Sequence, residues 1–160
     1  MKRQVFFSFH FANDVMRVQQ IRNIGMIEGN SPVTPNAWEE IKRKGDISIK
    51  NWINENMQGK SCIIVLIGNE TATRPWVDYE IRKAWDDQKA IFGIYIHNIK
   101  CARNGTCQRG KNPFESIKLK NGRNLSEYVQ CYDPNSWDAY NDIARNIDSW
   151  IETAIQNRRK

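Results

Sequence analysis

Hydrophobic positions in this chain fall into two patterns, short unbroken runs and helical stripes, and the two alternate. Cys62 to Ile67 is an apolar run rich in β-branched residues, closed by Gly68-Asn69. Such a run suits a central parallel strand covered on both faces. A polar loop follows. Pro75 then stands where a helix accepts proline, in its first turn, because the missing N–H would have had no partner there. At roughly 100° per residue, Val77, Ile81, Ala84 and Gln88 make one stripe, apolar except for its last member. Glu80 falls about 60° off that stripe, at the rim of the core, with Trp76 one turn earlier on the same flank. The plain alternative for Glu80 is a solvated helix glutamate paired with Arg82 or Lys83.

The same patterns place the other elements. Gln4 to Phe9 predicts a first strand, followed by a helix through about Asn23, capped by Asn13 or Asp14, with Val15, Val18 and Ile21 inward. Ile24 to Ile27 predicts a short second strand, and Glu28 to Asn36, with Gly29, Asn30, Pro32 and Pro35, a loop. Ala37 to Lys44 reads as a short helix. Asp46 caps another, in which Ile49, Ile53 and Met57 recur at helical spacing until Gly59. Ala90 to Ile96 predicts a further strand. Beyond it, only Phe114 to Leu119 is expected to be ordered before a last strand at Ser126 to Tyr132. A turn at Asp133 to Ser136 leads into a final helix from about Trp137 to Gln156, with Trp137, Tyr140, Ile143, Ile147 and Ile151 on its apolar face.

Strands alternating with helices predict a single α/β domain over residues 1–160, a doubly wound, three-layered sheet of about five mainly parallel strands in the flavodoxin-like order 2-1-3-4-5. In that order a ligand site lies at the switch point, outside the carboxyl ends of the first and third strands. Those ends are Ser8-Phe9-His10 and Gly68-Asn69, and the helix opening at Pro75 brings Trp76 and Glu80 to the same crevice. His10 either lines that crevice or serves as a structural donor. The chain has no GxGxxG and no GxxxxGK[ST], so neither a dinucleotide fingerprint nor a P-loop is supported. A phospho-receiver would need an aspartate where Gly68-Asn69 stands.

Composition adds three limits. With 160 residues, 40% apolar content and six tryptophans, a packed core is expected rather than disorder. No apolar run approaches the roughly 20 residues of a membrane helix. The opening MKRQVFFSF runs straight into a strand without a signal-peptide cleavage site, so a cytoplasmic protein without membrane contact is expected. The four cysteines have no metal-type spacing; Cys62 belongs to the core, and Cys101 and Cys107, which bracket a loop, are expected as thiols in a reducing compartment. The net charge of +6 resides between Lys100 and Arg123, where seven bases face one acid. That basic insertion, about 101–125, is either a solvated loop or an anion- or nucleic-acid-binding segment, and few aromatics are interleaved for base stacking.

VFFSFHFAND, WEEIKRKGD, VLIGNETATRPWVDYEI and IFGIYIHNIK together resemble the TIR-like ThsB family of the Thoeris antiphage system. The likeness covers about residues 4–100; the part from the insertion to the C-terminal helix at about 135–157 follows it loosely. In TIR domains that process NAD, the helix after the third strand carries Trp-x-x-x-Glu, here Trp76 to Glu80. The resemblance implies that Glu80 is catalytic, and Phe7-Ser8-Phe9 looks like the first TIR box, whose residues border the nucleotide pocket; the switch-point topology adds His10 and Asn69 to the expected substrate-binding residues, with Trp76 as a wall of the site. Residues 28–36 show no counterpart of the usual TIR loop after the second strand. The resemblance further implies NAD as substrate rather than cofactor, a cyclic ADP-ribose isomer as diffusible signal, the effector ThsA as its target and a phage-derived trigger. It leaves room for a homo-oligomer. Two other readings compete: a non-catalytic TIR adaptor, and, ranked last, a nucleic-acid module using the basic insertion.

That chemistry demands little of the protein. Nicotinamide in NAD is already a cationic leaving group, so no general acid is needed. One carboxylate can hold the ribose hydroxyls and stabilise the oxocarbenium-like charge. Water as nucleophile gives ADP-ribose; a nucleophile within the same molecule gives a cyclic isomer, favoured where water is excluded.

Overall fold

A computed structural model describes residues 3–22, 27–29, 40–100 and 105–159. Among them are five strands, β1 (Arg3–Ser8), β2 (Ile27–Gly29), β3 (Cys62–Ile67), β4 (Ala90–Tyr95) and β5 (Cys131–Tyr132). They form one sheet in the order β2-β1-β3-β4-β5, with every neighbouring pair parallel. The predicted flavodoxin-like order is therefore the observed one. β3 is central, and all six of its residues are buried, as an unbroken apolar run requires.

Four helices of a dozen residues or more cover the two faces: α1 (Phe11–Arg22), α2 (Asp46–Met57), α3 (Pro75–Asp86) and α4 (Ala139–Arg159). Alternation along β1 and β3 decides what each face meets. Val5, Phe7, Ile64 and Leu66 pack with Val18 and Ile21 of α1 and Ile143, Ile147 and Ile151 of α4. Phe6, Ile63, Val65 and Ile67 pack with Ile49, Ile53 and Met57 of α2 and Val77, Ile81 and Ala84 of α3.

Several predicted boundaries move, each for a local reason. α1 opens at Phe11, so Asp14 is not its cap but a buried member of its first turn. β2 pairs with β1 at Ile27–Gly29, three residues later than expected; Ile24 and most of the 28–36 loop lie outside the described residues, as do Ala37 to Glu39 of the short helix, whose described turn covers 40–43. Gly45 takes the position before α2, which begins at Asp46 itself. α3 ends at Asp86, and Gln88 turns to φ 62°, leaving the stripe to which its spacing assigned it. α4 starts at Ala139 because the Asn135 side chain takes the Trp137 N–H, which leaves Trp137 85% exposed. Tyr140 is also exposed, although its spacing put it on the apolar face.

The largest departure is the insertion. It is ordered well beyond Phe114 to Leu119. Leu125–Glu127 curls into a 3-10 turn, where the Asn124 side chain accepts the Ser126 N–H and the Glu127 carboxylate accepts the Asn124 N–H. These local bonds outcompete a ladder. The predicted last strand shrinks to Cys131–Tyr132 as a result. Phe114, Ile117, Leu125 and Val129 join the core on the α2–α3 side. No described helix is long and apolar enough to cross a membrane. Cys101 lies outside the described residues.

Candidate active site

The site is built where β1 and β3 end and the winding reverses. Ser8 pairs with Val65 in the sheet and belongs to the same face of β1 as Phe6, the face covered by α3. α3 comes down over it from Pro75, whose ring suits the first turn. The outcome is a direct contact: the Ser8 hydroxyl donates to Glu80 Oε1 at 2.7 Å.

Glu80 is more deeply placed than the rim its spacing predicts, 7% exposed and in line with buried Val77, Ile81 and Ala84. The solvated alternative fails, because both candidate partners are engaged elsewhere. Arg82 pairs with Asp78 at 2.7 Å and Lys83 with Asp87 at 3.0 Å. A carboxyl out of water resists ionising. Burial lifts that of Glu80 from its usual 4.5 to about 8, with the Ser8 hydrogen bond pulling the other way.

The remaining predicted residues divide. Trp76, half-buried, lies on the α3 side one turn before Glu80 and sets its ring edge-on to Tyr79, centroids 5.7 Å apart. His10 follows β1. Its Nδ1 lacks a hydrogen bond and stands 3.9 Å from Glu70, and burial and Arg74 lower its pKa, so the ring is neutral near pH 7. Asn69 is exposed just past β3. Phe7 is not brought to the carboxyl: it faces the opposite side of the sheet, in the core with α1 and α4, and Phe9 packs against that same cluster. A groove of about 790 Å³ lies at the far end of α3 and contains none of these residues.

Sequence reasoning missed a second buried group beside them. Asp14 is 1% exposed, and neither carboxylate oxygen makes a hydrogen bond. Burial raises its pKa to about 6, while Arg17 and Thr71 nearby pull it back. Arg17, itself buried, stands 3.7 Å away and donates to the carbonyls of Ile99 at 2.9 Å and Gly105 at 2.8 Å, tying α1 to the start of the insertion. Gly68 lies against the Asp14 carboxylate so closely that a Cβ there would overlap it, and a Cβ on Gly110 would overlap the Gly68 carbonyl. The signal was available: Asp14, Arg17, Val18 and Ile21 share one helical stripe, so two charges occupy positions of a buried face.

Residues 6–100 match the family described as Thoeris protein ThsB, TIR-like domain. The chain belongs to the ThsB TIR-like family. It is 32% identical, over 152 residues covering 90% of this chain and 78% of the relative, to a Bacillus cereus (strain MSX-D12) protein named "Putative cyclic ADP-D-ribose synthase ThsB1". The ThsB match spans β1 to the residues just after β4, so it holds Ser8, Trp76 and Glu80 and stops where the insertion begins. Among the described residues no group of histidine, cysteine and carboxylate side chains has the arrangement of a metal centre.

Proposed function

We propose that this ThsB-family protein is an NAD-processing TIR enzyme that breaks the nicotinamide–ribose bond and closes the remainder into a cyclic ADP-ribose isomer, with Glu80 as the catalytic carboxylate. The observation that carries this is the Ser8–Glu80 contact at the switch point, a carboxyl kept from water at the place where this fold binds nucleotides. The name of the relative supports the product class.

In this reading the glycosidic electron pair leaves with nicotinamide, which departs neutral. The ribose carbon becomes oxocarbenium-like, and the Glu80 carboxylate faces that charge. The resting carboxyl holds a proton at neutral pH; a cationic pyridinium ring beside it favours the ionised form. Ser8 orients the carboxyl through its hydroxyl. Trp76 walls the site, so capture by a nucleophile of the same molecule outruns capture by water. Either route releases one proton. The cyclic product is the diffusible signal that switches on a ThsA effector, and a phage component is the trigger.

The test is direct. Purified protein is incubated with NAD, alone and with lysate of phage-infected cells, and the products are separated by mass. Consumption of NAD to nicotinamide and a cyclic isomer supports the proposal. NAD left intact under both conditions contradicts it and favours an adaptor.

A further inference from the structure

A concavity opens at the far end of α3 from Glu80, Trp85 lying nine residues past Trp76 and hence about 13 Å along the helix axis. Its volume, about 790 Å³, is in the range of small-molecule sites. One wall is α3 with the end of α4. There the Arg158 guanidinium lies over the Trp85 ring, 3.8 Å from its centroid, and donates to the carbonyls of Trp85 at 2.8 Å and Lys89 at 3.2 Å. Its charge is thus fixed in place by neutral acceptors, and among the described residues no carboxylate pairs with it.

The facing wall is a tight hairpin of the insertion. Leu119 N–H bonds to Arg123 O at 2.8 Å and Leu125 N–H to Ile117 O at 2.8 Å, while Ile117 and Leu125 bury their side chains in the core. Lys118 and Lys120 line the groove from this support. Both are exposed, and no described carboxylate pairs with either. Arg82, also in the lining, is neutralised by Asp78. Asp86 is the one carboxylate in the lining, against the uncompensated charges of Lys118, Lys120 and Arg158. Cations gathered from a hairpin and a helix terminus repel one another unless an anion sits among them. Beside them Tyr128, 43% exposed, stands 6.0 Å from Trp85 between centroids, the two rings tilted by 38°, and gives the rim an exposed aromatic face.

We propose that this groove is a binding site for a small phosphorylated nucleoside, separate from the Glu80 site, with the phosphate on Lys118 and Lys120 and the base against the Tyr128–Trp85 rim. Phosphate supplies the missing negative charge, and a planar base suits the aromatic surface. A nucleic-acid strand would need successive stacking platforms. Among the described residues, the groove offers one exposed ring, Tyr128.

The test is an NMR titration of the whole, uniformly ¹⁵N-labelled chain with ADP, compared with adenosine, inorganic phosphate and a short oligothymidylate. ADP should produce saturable shifts at the Trp85 indole N–H and at the amides of residues 118–130. Lys118→Glu together with Lys120→Glu should weaken that response about tenfold or more, as charge-assisted contacts are lost. Lys118→Gln with Lys120→Gln provides a milder second variant, and Glu80→Gln should leave these shifts in place. The proposal is overturned if millimolar ADP moves none of these signals, or if both lysine variants bind as wild type does. It also fails if adenosine binds as well as ADP, or if oligothymidylate binds the same residues more tightly, which would make the occupant a nucleic acid.

Discussion

At the scale of single residues, the proton on Glu80 governs what the proposed catalyst can do. Burial raises the Glu80 carboxyl to about 8, and the Ser8 hydroxyl restrains that rise. Catalysis by the carboxylate should therefore grow with pH, and kcat/KM should climb through a limb near the free enzyme's value. Ser8→Ala removes the restraint, so the limb should move to higher pH and activity at pH 7 should fall; a pH–rate profile of the two proteins checks this. Stability carries the opposite sign. The folded carboxyl binds its proton more tightly than the unfolded one, so its contribution is full below 4.5 and is lost progressively as the pH rises to about 8. Glu80→Gln has no such ionisation. Its melting temperature relative to wild type should rise between about pH 5 and about pH 8, read by calorimetry at several pH values. Trp76→Ala should lower turnover by roughly 10²-fold, and the remaining product should shift toward linear ADP-ribose. An unchanged product ratio by mass spectrometry would remove water exclusion from the mechanism.

At the scale of elements, the sequence was most legible where burial alone decides structure. The apolar run at Cys62–Ile67, the Pro75 helix start and the Ile49-Ile53-Met57 stripe are where their patterns put them. Glu80 was legible as a candidate but not its depth, because spacing gives an angle around the helix and not what lies opposite. Ser8, a small polar residue on the α3 side of β1, is what makes room for a buried acid. Residue type makes Asp14 a cap candidate, whereas its position on the stripe with Val18 and Ile21 carries the better signal. The tight approach of Gly68 to Asp14, and of Gly110 to Gly68, is invisible without three dimensions. Gly110→Ala forces backbone apart and should destabilise the protein by about 1–3 kcal/mol, as overpacking does. Chemical denaturation of that variant provides the measurement, and an unchanged midpoint would show that the insertion can lift away from β3.

At the scale of the whole molecule, the basic insertion is part of the domain and not an appendage. Its charges and glycines suggested a loop, and indeed its lysines are exposed, but Phe114, Ile117, Leu125 and Val129 alternate with them and fill the core beside α3. Phe114 and Ile117 fall in the stretch expected to be ordered and Val129 in the predicted last strand, but Leu125 lies between the two, in irregular turns that show neither period 2 nor period 3.6. Leu125→Ala should therefore cost about 2–5 kcal/mol, the range for a core leucine, and not the few tenths expected of a surface loop. We propose that one buried carboxyl, that of Glu80, makes the signal. This is tested most directly by mass spectrometry of small molecules from phage-infected cells carrying either wild-type or Glu80→Gln protein. A cyclic ADP-ribose isomer that appears with wild type and is lost with the folded variant is the result expected here; the same isomer at the same level in both would contradict it.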